Sequence, residues 1–202
     1  MGMNVKKDVA DAFLDGQCLV AMPSLRGDFF ARAVVYLCAH SEEGAMGLIL
    51  NHPVQGVHLA DFLAQLQVMT DEERVALDPT IGRQAVLAGG PVEGTRGFVL
   101  HSADYNGGDS TLEIDDAVSM TPTLDILRAI AGNQGPKQAI LALGYAGWGA
   151  GQLEKEILEN SWMVCPADPF LLFDPAHEAK YERALGTIGV DLRFLADEAG
   201  HA

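Results

Sequence analysis

Residues 33–50 read AVVYLCAHSEEGAMGLIL, and the order of apolar and polar residues within them decides the fold class. Ala33 to Ala39 is an uninterrupted apolar run that includes Val34 and Val35, the composition of a buried strand. Ser41-Glu42-Glu43-Gly44 is a turn sequence, and Ala45 to Leu50 is a second apolar run of strand length. A four-residue connection is too short for the crossover that parallel strands need, so the two runs are expected to pair as an antiparallel hairpin.

The same alternation of short strands and turns continues outward. Gln17 to Met22 reads as a strand ended by Pro23, and Asp28 starts a short turn. Leu59 to Gln67 places Leu59, Phe62, Leu63 and Leu66 at helical spacing, and Thr70 to Leu77 begins with a capping-box pattern, Thr70 and Glu73. Gln84 to Ala88 and Gly97 to Leu100 read as strands around a Gly89-Gly90-Pro91 corner. Shorter strands follow at Thr111 to Ile114 and Val118 to Met120, joined by Asp115-Asp116. Thr121-Pro122 reads as the start of a helix running to about Gly132. Gln138 to Leu143 is a strand, Gly144 to Gly151 a glycine-rich turn, and the next stretch a helix with Leu153, Ile157 and Leu158 inward and Glu154, Lys155, Glu156 and Glu159 in water. Trp162 to Cys165 is a last strand and Pro175 to Leu185 a last helix. Short strands with hairpin-length connections, and helices inserted in groups, indicate an α+β fold rather than a doubly wound parallel sheet. There is no internal repeat, low-complexity segment or long linker, so residues 1–202 read as a single domain with flexible ends at 1–15 and 196–202.

Composition excludes several classes of function. No segment approaches the roughly 18–20 apolar residues of a membrane span, and Met1 to Asp15 lacks the apolar core of a secretory signal. A soluble, cytoplasmic protein is expected. The net charge is −15, from 13 Lys and Arg against 28 Asp and Glu. No basic run exceeds Lys6-Lys7, so direct nucleic-acid binding is disfavoured unless Arg26, Arg32, Arg83 and Arg96 gather into a stripe. Cys18, Cys38 and Cys165 are widely spaced and lie in apolar runs, a pattern of reduced, buried thiols rather than a disulfide framework or zinc site.

Several motifs carry a likeness to a known family. They are Met22-Pro23-Ser24, His40 with Gly44-Ala45-Met46-Gly47-Leu48, Asn51-His52-Pro53, Gly89-Gly90-Pro91-Val92, Arg96 to His101, Gly144 to Glu154, and Trp162 with Phe173-Asp174. In this order, from about Gly16 to Leu195, the chain resembles the YqgE/AlgH family. The resemblance implies an α+β domain on a bent, mixed, mostly antiparallel sheet, partly closed into a barrel and flanked by helices. It also implies a bacterial protein of the kind described as a transcriptional regulator, with no established enzymatic activity. No helix-turn-helix with a basic recognition helix is visible in the sequence.

Candidate site residues are few. His40 and His101 each follow an apolar strand, where functional side chains collect, and are the candidate acid/base pair. The Gly144–Gly151 segment, as a turn before a helix, is a candidate small-ligand or anion site through Gly147, Trp148, Gly149 and Gly151, with Asn51 as a further candidate. It lacks both the P-loop and the dinucleotide signatures. Trp148, Tyr145 and Phe29 are candidates for an aromatic ligand-facing surface. Ser24, Ser102 and Thr95 are candidate nucleophiles beside the histidines, but no nucleophile elbow is present. No spacing of metal ligands appears, and no cofactor or metal is expected. The family resemblance, the missing catalytic constellation and the acidic charge together favour a regulator without catalysis, acting through a small ligand or protein partner. The alternative is an enzyme whose cleft joins His40, His101 and the Gly144–Gly151 segment.

Overall fold

The hairpin forms as expected: Val34–Ser41 and Gly44–Ile49 pair antiparallel, with Val35 opposite Ile49 and Ser41 opposite Gly44. The computed structural model describes residues 13–25, 27 and 29–191. Met1 to Asp11 with Lys6 and Lys7, Arg26, Asp28 and the 196–202 end lie outside the described residues.

Ten strands join one sheet: β1 (Gln17–Ala21), β2 (Val34–Ser41), β3 (Gly44–Ile49), β4 (Pro53–His58), β5 (Ala85–Ala88), β6 (Val92–Ser102), β7 (Leu112–Glu113), β8 (Val118–Thr121), β9 (Ala139–Gly149) and β10 (Trp162–Pro166). The order is β10-β1-β2-β3-β9-β6-β8-β7, with every neighbouring pair antiparallel. Strand β5 adds antiparallel to β4 and parallel to β9, which makes the sheet mixed. It curls into a half-barrel flanked, among the described residues, by seven α-helices: α1 (Leu59–Gln65), α2 (Asp71–Ala76), α3 (Pro79–Gly82), α4 (Leu124–Ala131), α5 (Gln152–Leu158), α6 (Pro169–Leu172) and α7 (Lys180–Thr187). The fold is α+β.

Three apolar clusters fill the two faces of the sheet. The enclosed face carries Val20, Tyr36, Leu48, Leu100, Met120 and Ala142, closed by Leu171 and Leu172 of α6 and Tyr181, Ala184 and Leu185 of α7. On the other face, Leu153 and Ile157 of α5 cover Val35, Ile49, Ala146 and Trp148. Farther along that face, Leu59 and Leu63 of α1 and Ile126, Leu127 and Ile130 of α4 cover Val86, Val99 and Leu141. The i, i+4 spacing read from the sequence of α1 is the spacing that buries it.

The glycine-rich segment departs from expectation. It is not a turn: Gly144 to Gly149 is the second half of the eleven-residue β9. Ile140 and Ala142 face the enclosed core and Leu141 the outer one. Past Gly144 the parity reverses, with Tyr145 against the enclosed core and Ala146 and Trp148 outside. Gly144 adopts φ +70°, a left-handed residue inserted in a strand, which acts as a β-bulge. A Cβ at this position would meet Gly90 O at 2.5 Å and Val92 O at 2.8 Å.

Other boundaries move for identifiable reasons. Thr121 does not cap a helix; it ends β8 opposite Val99, and α4 starts after Thr123. The last helix begins at Lys180 rather than Pro175, after a 3-10 turn at His177–Ala179. Strand β6 extends well beyond Gly97–Leu100, and β4, mostly exposed and with no apolar alternation, had no signal. The capping box of α2 is present: Thr70 Oγ1 accepts from Glu73 N at 3.2 Å and Glu73 Oε2 from Thr70 N at 2.7 Å.

Replacing Gly144 by alanine combines left-handed strain with backbone overlap. It is expected to lower stability by about 3 kcal/mol, measured by urea unfolding. A loss under 1 kcal/mol would show that the bulge tolerates a side chain.

Candidate functional site

His40 and His101 lie within strands rather than past their ends, and both are buried. His40 Nδ1 accepts from Leu14 N–H at 3.0 Å, which leaves the ring hydrogen on Nε2, where it donates to Glu154 Oε1 at 2.8 Å. Glu154 therefore turns inward from α5, correcting its assignment to the water-facing side. Glu156 does the same. Its Oε2 accepts from the indole N–H of both Trp148 (2.9 Å) and Trp162 (2.8 Å), and its Oε1 accepts from Gln152 Nε2 at 2.9 Å. The two indoles meet edge to face, 5.8 Å between centroids. Gln152 Oε1 in turn accepts from Gly149 N at 3.0 Å, so one backbone donor of the supposed anion site is occupied from within.

His101 heads a second network. Its Nδ1–H donates to Ser102 O at 2.9 Å, and Nε2 accepts from Thr121 Oγ1 at 2.9 Å. The chain of donors runs back from Thr121 to Thr111 (2.9 Å) and to Gly107 N–H (2.9 Å). Burial pushes the His101 imidazole pKa below its usual value, which keeps the ring neutral, as this network requires. His40 sits opposite Ala45, which faces Trp148, while His101 faces Ala139 at the other end of β9. Nine residues of strand, bent at Gly144, separate those positions, at most roughly 30 Å. The two imidazoles do not share a cleft. Among the described residues, no seryl or threonyl nucleophile pairs with His40; Ser102 Oγ bonds Asp104 Oδ1 at 2.5 Å instead.

Asn51 lies at the far end of β3 from the glycine-rich strand and serves the backbone: Oδ1 accepts from Val34 N at 2.8 Å and Nδ2 donates to Arg32 O at 2.8 Å. This clamp holds Arg32 at φ +55°, its guanidinium 4.6 Å from the Tyr181 ring centroid. Lys180 is wholly buried beside it, donating to Leu50 O (3.1 Å) and Leu172 O (2.6 Å), and burial lowers its pKa to about 8. His52 and His177 are likewise pushed down by burial. Arg32, Arg74, Arg96, Arg128 and Arg183 each pair with a carboxylate, so no free basic stripe forms from them. Among the described residues, no three His, Cys, Asp or Glu side chains gather as metal ligands.

What remains open to solvent near the predicted residues is a groove of about 460 Å³ beside the β2–β3 turn. Its floor and walls are Ala39, Met46, Val92, Tyr145 and Gly147, and Ser41 and Glu43 form a polar rim. Trp148 lines it too, though its indole is committed to Glu156. Gly147 and Trp148 thus reach the groove. Gly149, Gly151, Asn51, His40, His101 and Phe29 are not among its lining residues. Met46 and Val92 escaped sequence reading because an isolated apolar residue in a strand gives no sign of being half exposed.

The sequence model of the AlgH-like family matches residues 18–193. The chain is 58% identical to a UPF0301 protein of Beijerinckia indica over 95% of this chain and 93% of the relative. It is 54% identical to one of Methylobacterium nodulans over 96% and 92%. Its structure is similar to the solution structure of the AlgH protein from Pseudomonas aeruginosa, with TM-score 0.72 and 42% identity over 95% of this chain and 97% of that one. A Corynebacterium diphtheriae protein at 22% identity shares the fold, with TM-score 0.66 over 87% of each chain.

Two outcomes follow from the buried polar groups. Glu156→Ala strands two indole N–H donors and is expected to cost about 3 kcal/mol, with a red shift of tryptophan emission. Glu156→Gln, which keeps one acceptor oxygen, loses less. Unchanged emission in Glu156→Ala would dismiss the clamp. His52, His101 and His177 have folded pKa values lowered from 6.5, so the unfolded chain binds more protons on the acid side. Their contribution is fully present above about pH 6.5 and is lost as pH falls below it. The urea midpoint should drop between pH 7.5 and 5.5, and less steeply in His101→Gln.

Proposed function

Because the chain belongs to the AlgH-like family, we propose that it is a regulatory binding protein without catalysis of its own, acting in the bacterial cytoplasm. The observation that carries this reading is the commitment of both candidate acid/base groups. Each imidazole is buried, has both ring nitrogens engaged inside the protein, and lies at the opposite end of β9 from the other. A general base needs a free nitrogen within hydrogen-bond reach of its substrate. The alternative, an enzyme whose cleft joins His40, His101 and the Gly144–Gly151 segment, has neither the shared cleft nor the loop to support it.

The groove beside the β2–β3 turn supports recognition of a small ligand. It is shallow and open to solvent, and it joins an apolar floor to a polar rim of Ser41 and Glu43. Direct contact with DNA is disfavoured by the net charge of −15 and by the arginines already paired with carboxylates. A protein partner is the other route by which such a regulator acts, and the same acidic surface suits a basic one.

A thermal-shift screen of nucleotides, sugars, acyl metabolites and small amines tests this. A ligand at 100 times its Kd adds about 2.7 kcal/mol, roughly 5–10 °C for a chain of this length. Gly147 lines the groove with an added Cβ only 3.3 Å from the Tyr145 ring. Gly147→Val is expected to fill the groove, the Tyr145 ring giving by a few tenths of an ångström, and to abolish the shift. A shift that survives in Gly147→Val would remove the groove from the reading, and a blank across the panel would leave only the protein-partner route.

A further inference from the structure

Two of the three cysteines, 147 positions apart in sequence (165 − 18), face each other across the β1–β10 ladder, Cys18 directly opposite Cys165. Met22 N–H donates to Ser161 O at 2.9 Å. That bond fixes the hydrogen-bonded pairs at alternate positions, 22 with 161, 20 with 163 and 18 with 165. Opposed residues of that kind have Cα atoms roughly 5.5 Å apart, within the range that disulfides span, but their Cβ atoms are set wider than in the alternate pairs, so a bridge draws β10 toward β1. Both side chains point into the enclosed core, both are free, and each thiol's pKa is shifted first of all by the other.

We propose that Cys18 and Cys165 form a modification site, a dithiol that a small peroxide converts to a cross-strand disulfide stapling β10 to β1.

The surroundings divide the roles. The hydrogen bond from the Cys18 thiol holds the Cys165 pKa below the usual thiol value, while that same bond, and then burial, raises Cys18. Cys165 is therefore the sulfur that ionises first and attacks. The buried ammonium of Lys180 adds a positive charge that acts on Cys18, countering part of its rise. Cys38 stands apart: it directs its thiol to Tyr36 O at 3.8 Å, and burial pushes it up to about 12. In the first step the Cys165 thiolate attacks one oxygen of hydrogen peroxide. The O–O bond breaks, leaving a sulfenic acid and hydroxide, which takes up the proton lost by the thiol and leaves as water. In the second the Cys18 sulfur attacks the sulfenic sulfur, and its proton departs with the hydroxyl as a second water. Two thiols are oxidised and one peroxide is reduced. Access comes from the edge: β10 is five residues long and ends the strand order, paired to β1 alone. Edge strands open locally at a fraction of the global unfolding free energy.

The test uses the full chain, reduced, exposed to millimolar hydrogen peroxide under native conditions, then alkylated, digested and read by mass spectrometry. The expected product is a Cys18–Cys165 linked peptide pair lighter by about 2 Da than the two thiols, with Cys38 still alkylated. The oxidised protein should melt roughly 5–10 °C higher, because the bridge closes a long loop, and dithiothreitol should reverse both changes. Cys38→Ser should retain the bridge, while Cys18→Ala and Cys165→Ala should each lose it. Three results would overturn the site: both thiols recovered unbridged after peroxide, a bridge to Cys38, or linkage that appears only in urea. The wild-type readout alone decides the matter should a variant fail to fold.

Discussion

Everything in this molecule hangs on the backbone of β9, which is hydrogen-bonded to three other strands. Its second half pairs with β3 and its first half with β6 on one side and β5 on the other. A strand shared in this way must lie in contact with backbone on both edges along most of its length. Side chains stand off the faces of a sheet, so both edges of Ala142 and Leu143 are free for β5 and β6. The left-handed Gly144, where a Cβ would meet the backbone of Gly90 and Val92, lets the strand change which residues face the enclosed core without leaving the sheet. The half-barrel curl, the separation of two outer cores and the position of α5 all follow from that bend.

Helix α5 comes directly after β9, and its first turns are read by the sheet rather than by water. Glu154 and Glu156 reach back to His40 and to the two indoles, so an acidic helix start that would repel an anion becomes the anchor of the helix. The polar residues that look most chemical in the sequence are consumed here, as at His101 and Asn51, in satisfying buried donors and acceptors. A buried polar group without a partner is expensive, and these networks leave none among the described residues. This is why a motif-rich chain need not be a catalyst, and why a ligand is sought in the groove rather than among the motifs.

The arrangement also places features of different character on different parts of the sheet. The groove lies where the enclosed face emerges beside the β2–β3 turn, and the facing thiols lie on the edge pair β1–β10. The proposed recognition site and the proposed oxidation site share no residue. The net charge of −15 favours the approach of basic partners over nucleic acid.

Local chemistry alone determined a good part of this: the β2–β3 hairpin from two apolar runs and a four-residue turn, the capping box of α2, the buried stripe of α1, the buried thiols and the α+β class. These are short-range properties, written in residues a few positions apart. The family resemblance added the curled sheet. Tertiary structure decided the rest. Glycine has little strand propensity, so Gly144 to Gly149 read as a turn until β3 and β6 closed on it. His40 and His101 looked like loop residues because the apolar runs stop before them, yet the ladders continue. The meeting of Cys18 with Cys165, and the distance that keeps the two histidines apart, depend on strand order and register. Those are set by how distant segments pack, and no local pattern encodes them.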